Sequence, residues 1–261
     1  MKDLNDHKKI AVLIDADNAQ LSKMKHILEE VSAHGHIVVK RAYGDWSSDY
    51  LKNWKICLNE LAIQPVQQFS YTTGKNATDA SMIIDTMDLL YSNKFDAFAL
   101  VSSDSDFTKL ASRLRESEIF VFGVGEKKTP ISFRNACDDF IFTENLGDNE
   151  NDVVPVAKSQ SVTRLTIGMN EIVSLLQKAW ELYQDDNGWA NFGPAGSFLK
   201  RSKPDFDPRT YGASKLRELV EKMPEVFEVK MVQVSGGAKI LAYKCKKSPN
   251  HALQPTAKRG S

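Results

Sequence analysis

Two rhythms of apolar and polar residues alternate along the first 142 positions. Residues 10–14, IAVLI, form an unbroken apolar run that stops at Asp15. Five such residues in a row predict a strand buried on both faces. Residues 21–31 then place Met24, Ile27, Leu28 and Val31 on one helical stripe. HIVVKRAYG predicts a second strand. DWSSDYLKNWKICLNEL predicts a helix behind a Ser N-cap, and AIQPVQQF a short strand. NATDASMIIDTMDLLY is a helix, FDAFALVSS a strand, DFTKLASRLRES a helix and IFVFGVG a strand. A short helix near PISFRNA and a last strand, DFIFT, complete the unit. Strands alternating with helices predict an α/β fold with a mainly parallel sheet and helices on both faces.

The rhythm breaks after residue 143. Residues 144–165 are polar and without sustained period, and they read as a linker. Residues 166–247 form a smaller unit. GMNEIVSLLQKAWELYQ is amphipathic, GWANFGPAGSFLKR holds a short helix, and RTYGASKLRELVEKM reads as a helix with Leu216, Leu219, Val220 and Met223 inward. VFEVKMVQVSGGAKILAYKC reads as two strands around a Ser-Gly-Gly turn. Helices followed by a hairpin describe a winged helix-turn-helix. Residues 248–261 read as a disordered tail.

Charge separates the same two parts. Over all 261 residues Lys+Arg and Asp+Glu balance at 34 each. Residues 1–165 hold 19 basic and 24 acidic residues, and residues 166–261 hold 15 and 10. An acidic first part and a basic second part suit an acidic site joined to a nucleic-acid reader. Cys57, Cys137 and Cys245 lie far apart, so neither a disulfide frame nor a zinc site is expected. No apolar run reaches the ~18 residues of a membrane span, and the N-terminus has no signal core. The expectation is a soluble, cytoplasmic chain with no membrane partner and an oligomeric state left open.

The chemistry lies in the acids that end the elements. In an open α/β sheet, ligands bind beyond the carboxyl ends of the strands. Asp15 ends the first strand. Asp104 follows the FALV strand, with Asp106 two residues on. Asp79 falls on the helical stripe of Met82, Ile83, Thr86 and Leu90, so it projects from a core-facing surface, whereas Asp88 points away and Asp85 lies off the stripe. Each acid has an ordinary explanation: DADN as an Asx turn, SSDSDF as a capped turn, Asp79 as a helix N-terminal acid. Together they bring several carboxylates to one sheet edge, which is unfavourable unless a cation holds them. Hard oxygen ligands suit Mg²⁺ or Mn²⁺, ions that clamp phosphate oxygens and activate water. Asp15, Asp79, Asp104 and Asp106 are therefore the candidate catalytic residues and metal ligands. Asn18, Ser103 and Lys75 are candidates for phosphate or water contacts.

Four ordered motifs, LIDADN, YGDW, GKNATDASMIIDTMDLLY and FDAFALVSSDSDF, resemble the NYN domain, a branch of the PIN-like metal-dependent ribonucleases. The resemblance spans about residues 8–143. It implies a PIN-like Rossmannoid fold and an Mg²⁺/Mn²⁺ site that cleaves RNA, with its acidic positions on Asp15, Asp79, Asp104 and Asp106 and its first-motif Asn on Asn18. The segment GWANFGPAGSFLKRSKPDFDPRTYGASKLRELVEKMPEVFEV is similar to the LOTUS, or OST-HTH, domain. That resemblance implies a small winged-helix unit that binds RNA, in some members structured or G-rich RNA, and in others protein partners. Gly188, Trp189, Lys200, Tyr211, Gly212 and Leu216 match its pattern, with Trp189 and Tyr211 expected in the core. Lys200, Arg201 and Lys215, with Lys203, Arg209 and Arg217, are candidates for phosphate contact.

The reading is thus a metal-dependent endoribonuclease whose LOTUS unit recruits RNA. Two alternatives stand beside it. One is a non-catalytic RNA- or protein-binding scaffold. The other is a phosphatase of the haloacid dehalogenase type with Asp15 as nucleophile, although Asn18 stands where that chemistry wants Thr or Val.

Overall fold

A computed structural model of the chain describes residues 8–69, 77–147, 161–233 and 239–246. They divide into two compact units, the first ending near residue 153 but including residues 203–206. The first is built on six strands: β1 (Lys9–Asp15), β2 (His36–Gly44), β3 (Gln64–Gln67), β4 (Ala97–Val101), β5 (Phe120–Gly125) and β6 (Asp139–Phe142). All pair in parallel, in the order β3-β2-β1-β4-β5-β6.

The continuous apolar run of β1 follows from its place at the centre of that sheet. Ile10, Val12 and Ile14 feed one core, and Ala11 and Leu13 feed the other. The first core is covered by α1 (Met24–Ser32) and α2 (Trp54–Glu60), through Met24, Ile27, Val31 and Trp54. The second is covered by α3 (Ala77–Tyr91), α4 (Thr108–Glu116) and α5 (Ile131–Ala136), through Met82, Leu90, Leu110, Leu114 and Phe133. Two long β-α-β-α runs, wound in opposite directions from β1, give this three-layer arrangement.

Two of the expected helices start differently. A 3-10 turn, Leu21–Lys23, precedes α1, and another, Asp49–Leu51, precedes α2. The Ser48 hydroxyl accepts from the Tyr50 amide at 3.3 Å, so the expected Ser cap serves that 3-10 turn.

The second unit holds α6 (Ser161–Tyr183), β7 (Ala190–Asn191), α7 (Phe192–Ser202), α8 (Leu216–Glu221), β8 (Phe227–Gln233) and β9 (Lys239–Cys245). The hairpin β8–β9 is antiparallel, and β7 adds a third strand that no periodicity signalled. The Ser-Gly-Gly turn lies outside the described residues. Helix α6 begins within the stretch read as linker. The single helix expected over RTYGASKLRELVEKM is broken: a 3-10 turn, Pro208–Tyr211, ends at Gly212, and α8 starts only at Leu216. Gly212 sits at φ +72, a conformation open to glycine and costly to residues with a Cβ, and this stops the turn. Trp189 is buried and Tyr211 half-buried. No helix among the described residues is long and apolar enough to cross a membrane.

Candidate metal centre

The strand order reverses at β1, which pairs with β2 on one side and β4 on the other. Ile14 registers with Val101, so β1 and β4 end together and their following residues share the crevice at the switch point. The neighbouring of these two strands is what the acidic-site reading required.

Asp15, the last residue of β1, is 1% exposed. Its Oδ2 accepts from Ser102 Oγ at 2.7 Å and from Asn18 Nδ2 at 2.8 Å. Its Oδ1 is buried and has no hydrogen-bond partner among the described residues. Burial raises its pKa above the usual carboxylate value, against the lowering pull of those two hydrogen bonds. The DADN segment is also a backbone turn, with the Ala19 amide on the Asp15 carbonyl at 2.8 Å. Asp17 is hydrogen-bonded by the Thr78 side chain, and burial raises its pKa as well. The turn is thereby tied to the first turn of α3.

Asp104 follows β4 and caps the 3-10 turn Ser105–Phe107, its Oδ1 accepting from the Asp106 amide at 2.9 Å. The capped-turn reading was thus correct, and it coexists with the site. Asp79 lies in the first turn of α3, partly buried. One carboxylate oxygen from each of Asp79, Asp104 and Asp106 lies within 4.8 Å of the other two. Asp15 is outside that trio, but its charge acts on it. The Asp79 pKa is pushed up to about 6, first by burial and then by the charges of Asp15, Asp104, Asp106 and Asp17.

The stripe assignment for α3 is matched by burial: Met82, Thr86 and Leu90 are buried, Asp88 is exposed. Asp85, placed off the stripe, is not idle. It accepts from Arg41 Nη1 at 2.5 Å and from the Tyr43 hydroxyl, joining α3 to β2. Ser103 turns elsewhere than expected, its hydroxyl accepting from the Glu126 amide at 2.9 Å. Ser102 is the serine on the acids: besides Asp15, it accepts from the Asp104 amide at 3.0 Å. The only hint of this was the SSDSD run itself. Gly125, at the end of β5, permits the close approach, because a Cβ there would lie 2.6 Å from the Ser102 carbonyl. Lys75 lies outside the described residues.

Lys200 and Arg201 belong to the last turn of α7, and Lys215 stands exposed before α8. Arg201 donates to the Tyr183 hydroxyl at 3.1 Å. Arg209 is paired with Asp207 at 2.9 Å and Arg217 with Glu221 at 2.7 Å.

The donor set fits a hard divalent cation. It consists of oxygens only, the charges acting on Asp79 are negative, and a buried Asp15 oxygen lacks a partner among the described residues.

A doubly wound parallel sheet with clustered acids at its switch point defines an α/β domain of PIN-like fold. The NYN domain model matches residues 9–145, and the chain belongs to the NYN domain family. Residues 167–237 match the OST-HTH/LOTUS domain, an RNA-binding domain. This is the architecture expected from the motifs, and it fits a nuclease. No curated protein matches the chain significantly. Among solved structures, a protein of unknown function from Vibrio parahaemolyticus RIMD 2210633 is 18% identical, with TM-score 0.45, covering 54% of this chain and 95% of its own. An uncharacterized protein from Nitrosomonas europaea is 28% identical, with TM-score 0.27, 41% of this chain and 99% of its own. A protein from Chromobacterium violaceum is 24% identical, with TM-score 0.25, 34% of this chain and 91% of its own.

Proposed function

We propose that the chain is a metal-dependent endoribonuclease, with the NYN unit hydrolysing phosphodiesters and the OST-HTH unit recruiting RNA. The observation that carries this reading is the convergence of the Asp79, Asp104 and Asp106 carboxylates within 4.8 Å, with Asp15 near enough for its charge to act on Asp79. Asp15, Asp79, Asp104 and Asp106 would hold Mg²⁺ or Mn²⁺. When bound, such an ion neutralises phosphate charge and eases deprotonation of water.

The chain's own residues do the positioning. Ser102 and Asn18 fix one Asp15 oxygen and leave the other available. The Ser102 hydroxyl also holds the Asp104 amide, so the ends of β1 and β4 move as one. Thr78 and Asp17 anchor the start of α3 and with it Asp79. The exposed Lys215 and the α7 residues Lys200 and Arg201 are the proposed phosphate contacts of the second unit, for structured or G-rich RNA. A cytoplasmic location is part of the same proposal.

The test is incubation of single-stranded and structured RNAs with the full chain in Mn²⁺. Wild type should cleave, and Asp15→Asn should be slower by more than about 100-fold. Equal rates would refute the proposal.

A further inference from the structure

On the sheet face covered by α1 and α2, at the sheet's outer edge, α2 and the edge strand β3 line a groove of about 930 Å³, within the ~300–1,000 Å³ of ordinary ligand sites. Resting on the nuclease reading above, we propose that this groove is a single-stranded RNA subsite. It seats the base of a nucleotide flanking the cleaved bond, with Lys52 and Lys55 on the adjoining phosphates.

The groove begins at the edge that carries the acids. Trp46, in its wall, lies two residues beyond β2, whose Tyr43 registers with Asp15. Asp45, between them, is close enough for its charge to act on Asp17. An RNA strand leaving the acidic crevice over the end of β2 would reach Trp46.

The lining has the chemistry of a nucleotide. Leu51 and Leu58 supply an apolar floor, and the Asn59 and Gln67 amides supply donors and acceptors for base edges. Lys52 and Lys55 are exposed, and neither is ion-paired among the described residues. In a unit whose net charge is negative, these two cations offer local attraction for phosphate.

Trp46 is held in advance. Its Nε1 donates to the Val66 carbonyl at 3.0 Å, its amide donates to Gln67 Oε1 at 3.1 Å, and its ring meets Trp54 edge-on at 6.1 Å. A fixed aromatic wall loses little freedom on stacking with a base. A peptide strand is the poorer occupant, because Pro65, in the middle of β3, supplies no N–H for strand addition.

The test uses the full chain and a single-stranded oligoribonucleotide carrying 4-thiouracil. Photocrosslinks should map to the peptide containing Trp46. Lys52→Glu/Lys55→Glu should raise Kd and KM about tenfold, leave kcat within about twofold, and lower the slope of log Kd against log salt by about 1.4, near 0.7 per lost phosphate contact. Lys52→Gln/Lys55→Gln should shift each in the same direction by less, at unchanged thermal stability. Crosslinks elsewhere, capture of a peptide in place of RNA, or unchanged Kd and KM would overturn the subsite. Cleavage by wild type with an unaffected double variant removes the subsite and leaves the nuclease standing. Crosslinking at Trp46 without any cleavage leaves the subsite and removes the nuclease.

Discussion

A carboxylate in the first turn of a helix ordinarily gains from the helix dipole. Asp79 occupies such a position and still has its pKa raised from 3.8 to about 6 by burial and by its acidic neighbours. A raised folded-state pKa means that the folded chain binds the proton more tightly than the unfolded one. The resulting stability is fully present below 3.8 and is lost as pH rises through about 6. Asp15 and Asp17 shift in the same direction. Thermal unfolding in chelator should therefore show a metal-free protein that gains stability as pH falls from neutral towards acid. Asp79→Asn should flatten part of that dependence. At neutral pH it should add roughly 1 kcal/mol, a figure reduced for the partial exposure of the group. A variant more stable and less active than wild type is the mark of a site built at the expense of the fold.

At the scale of elements, the position of α3 sets the site, and two contacts set α3. One is Thr78 with Asp17. The other is the Asp85 carboxylate, shared by Arg41 and Tyr43 of β2. Tyr43 is fully buried, and burial raises its phenol pKa, so its hydroxyl stays a donor. Asp85→Asn should cost roughly 1 kcal/mol by leaving the part-buried Arg41 and Tyr43 donors incompletely matched, read as a lower urea midpoint with unchanged m-value. It should also weaken Mn²⁺ binding without removing it, since Asp85 holds the helix and not the ion. This contact was illegible in the sequence because Arg41 and Asp85 are 44 residues apart. What local period records was legible: the doubly buried β1, the inward stripe of α3, and the acids at two strand ends. Ser103 was named as a site residue and Ser102 was not, because adjacent serines beyond a strand are alike in local pattern, and only the pairing of β4 with β1 shows that Ser102 meets Asp15. The helix expected across Gly212 failed for a related reason: its apolar spacing was real, but the backbone turns there at positive φ.

For the whole molecule, acidic and basic halves divide along the two compact units. A unit of negative net charge that handles RNA needs cations at its acids, around its entry, or on a neighbour. The account supplies all three: a divalent ion, the lysines of the α2–β3 groove, and the OST-HTH unit. The divalent ion is the central claim, because without it the clustered carboxylates only repel. Mn²⁺ titration by calorimetry on the full chain, wild type beside Asp104→Asn, tests it most directly. The account predicts millimolar or tighter binding in wild type, stabilisation of about 2.7 kcal/mol at a hundredfold excess over Kd, and at least about tenfold weaker binding in the variant. No binding to wild type, or equal binding to both proteins, would contradict it.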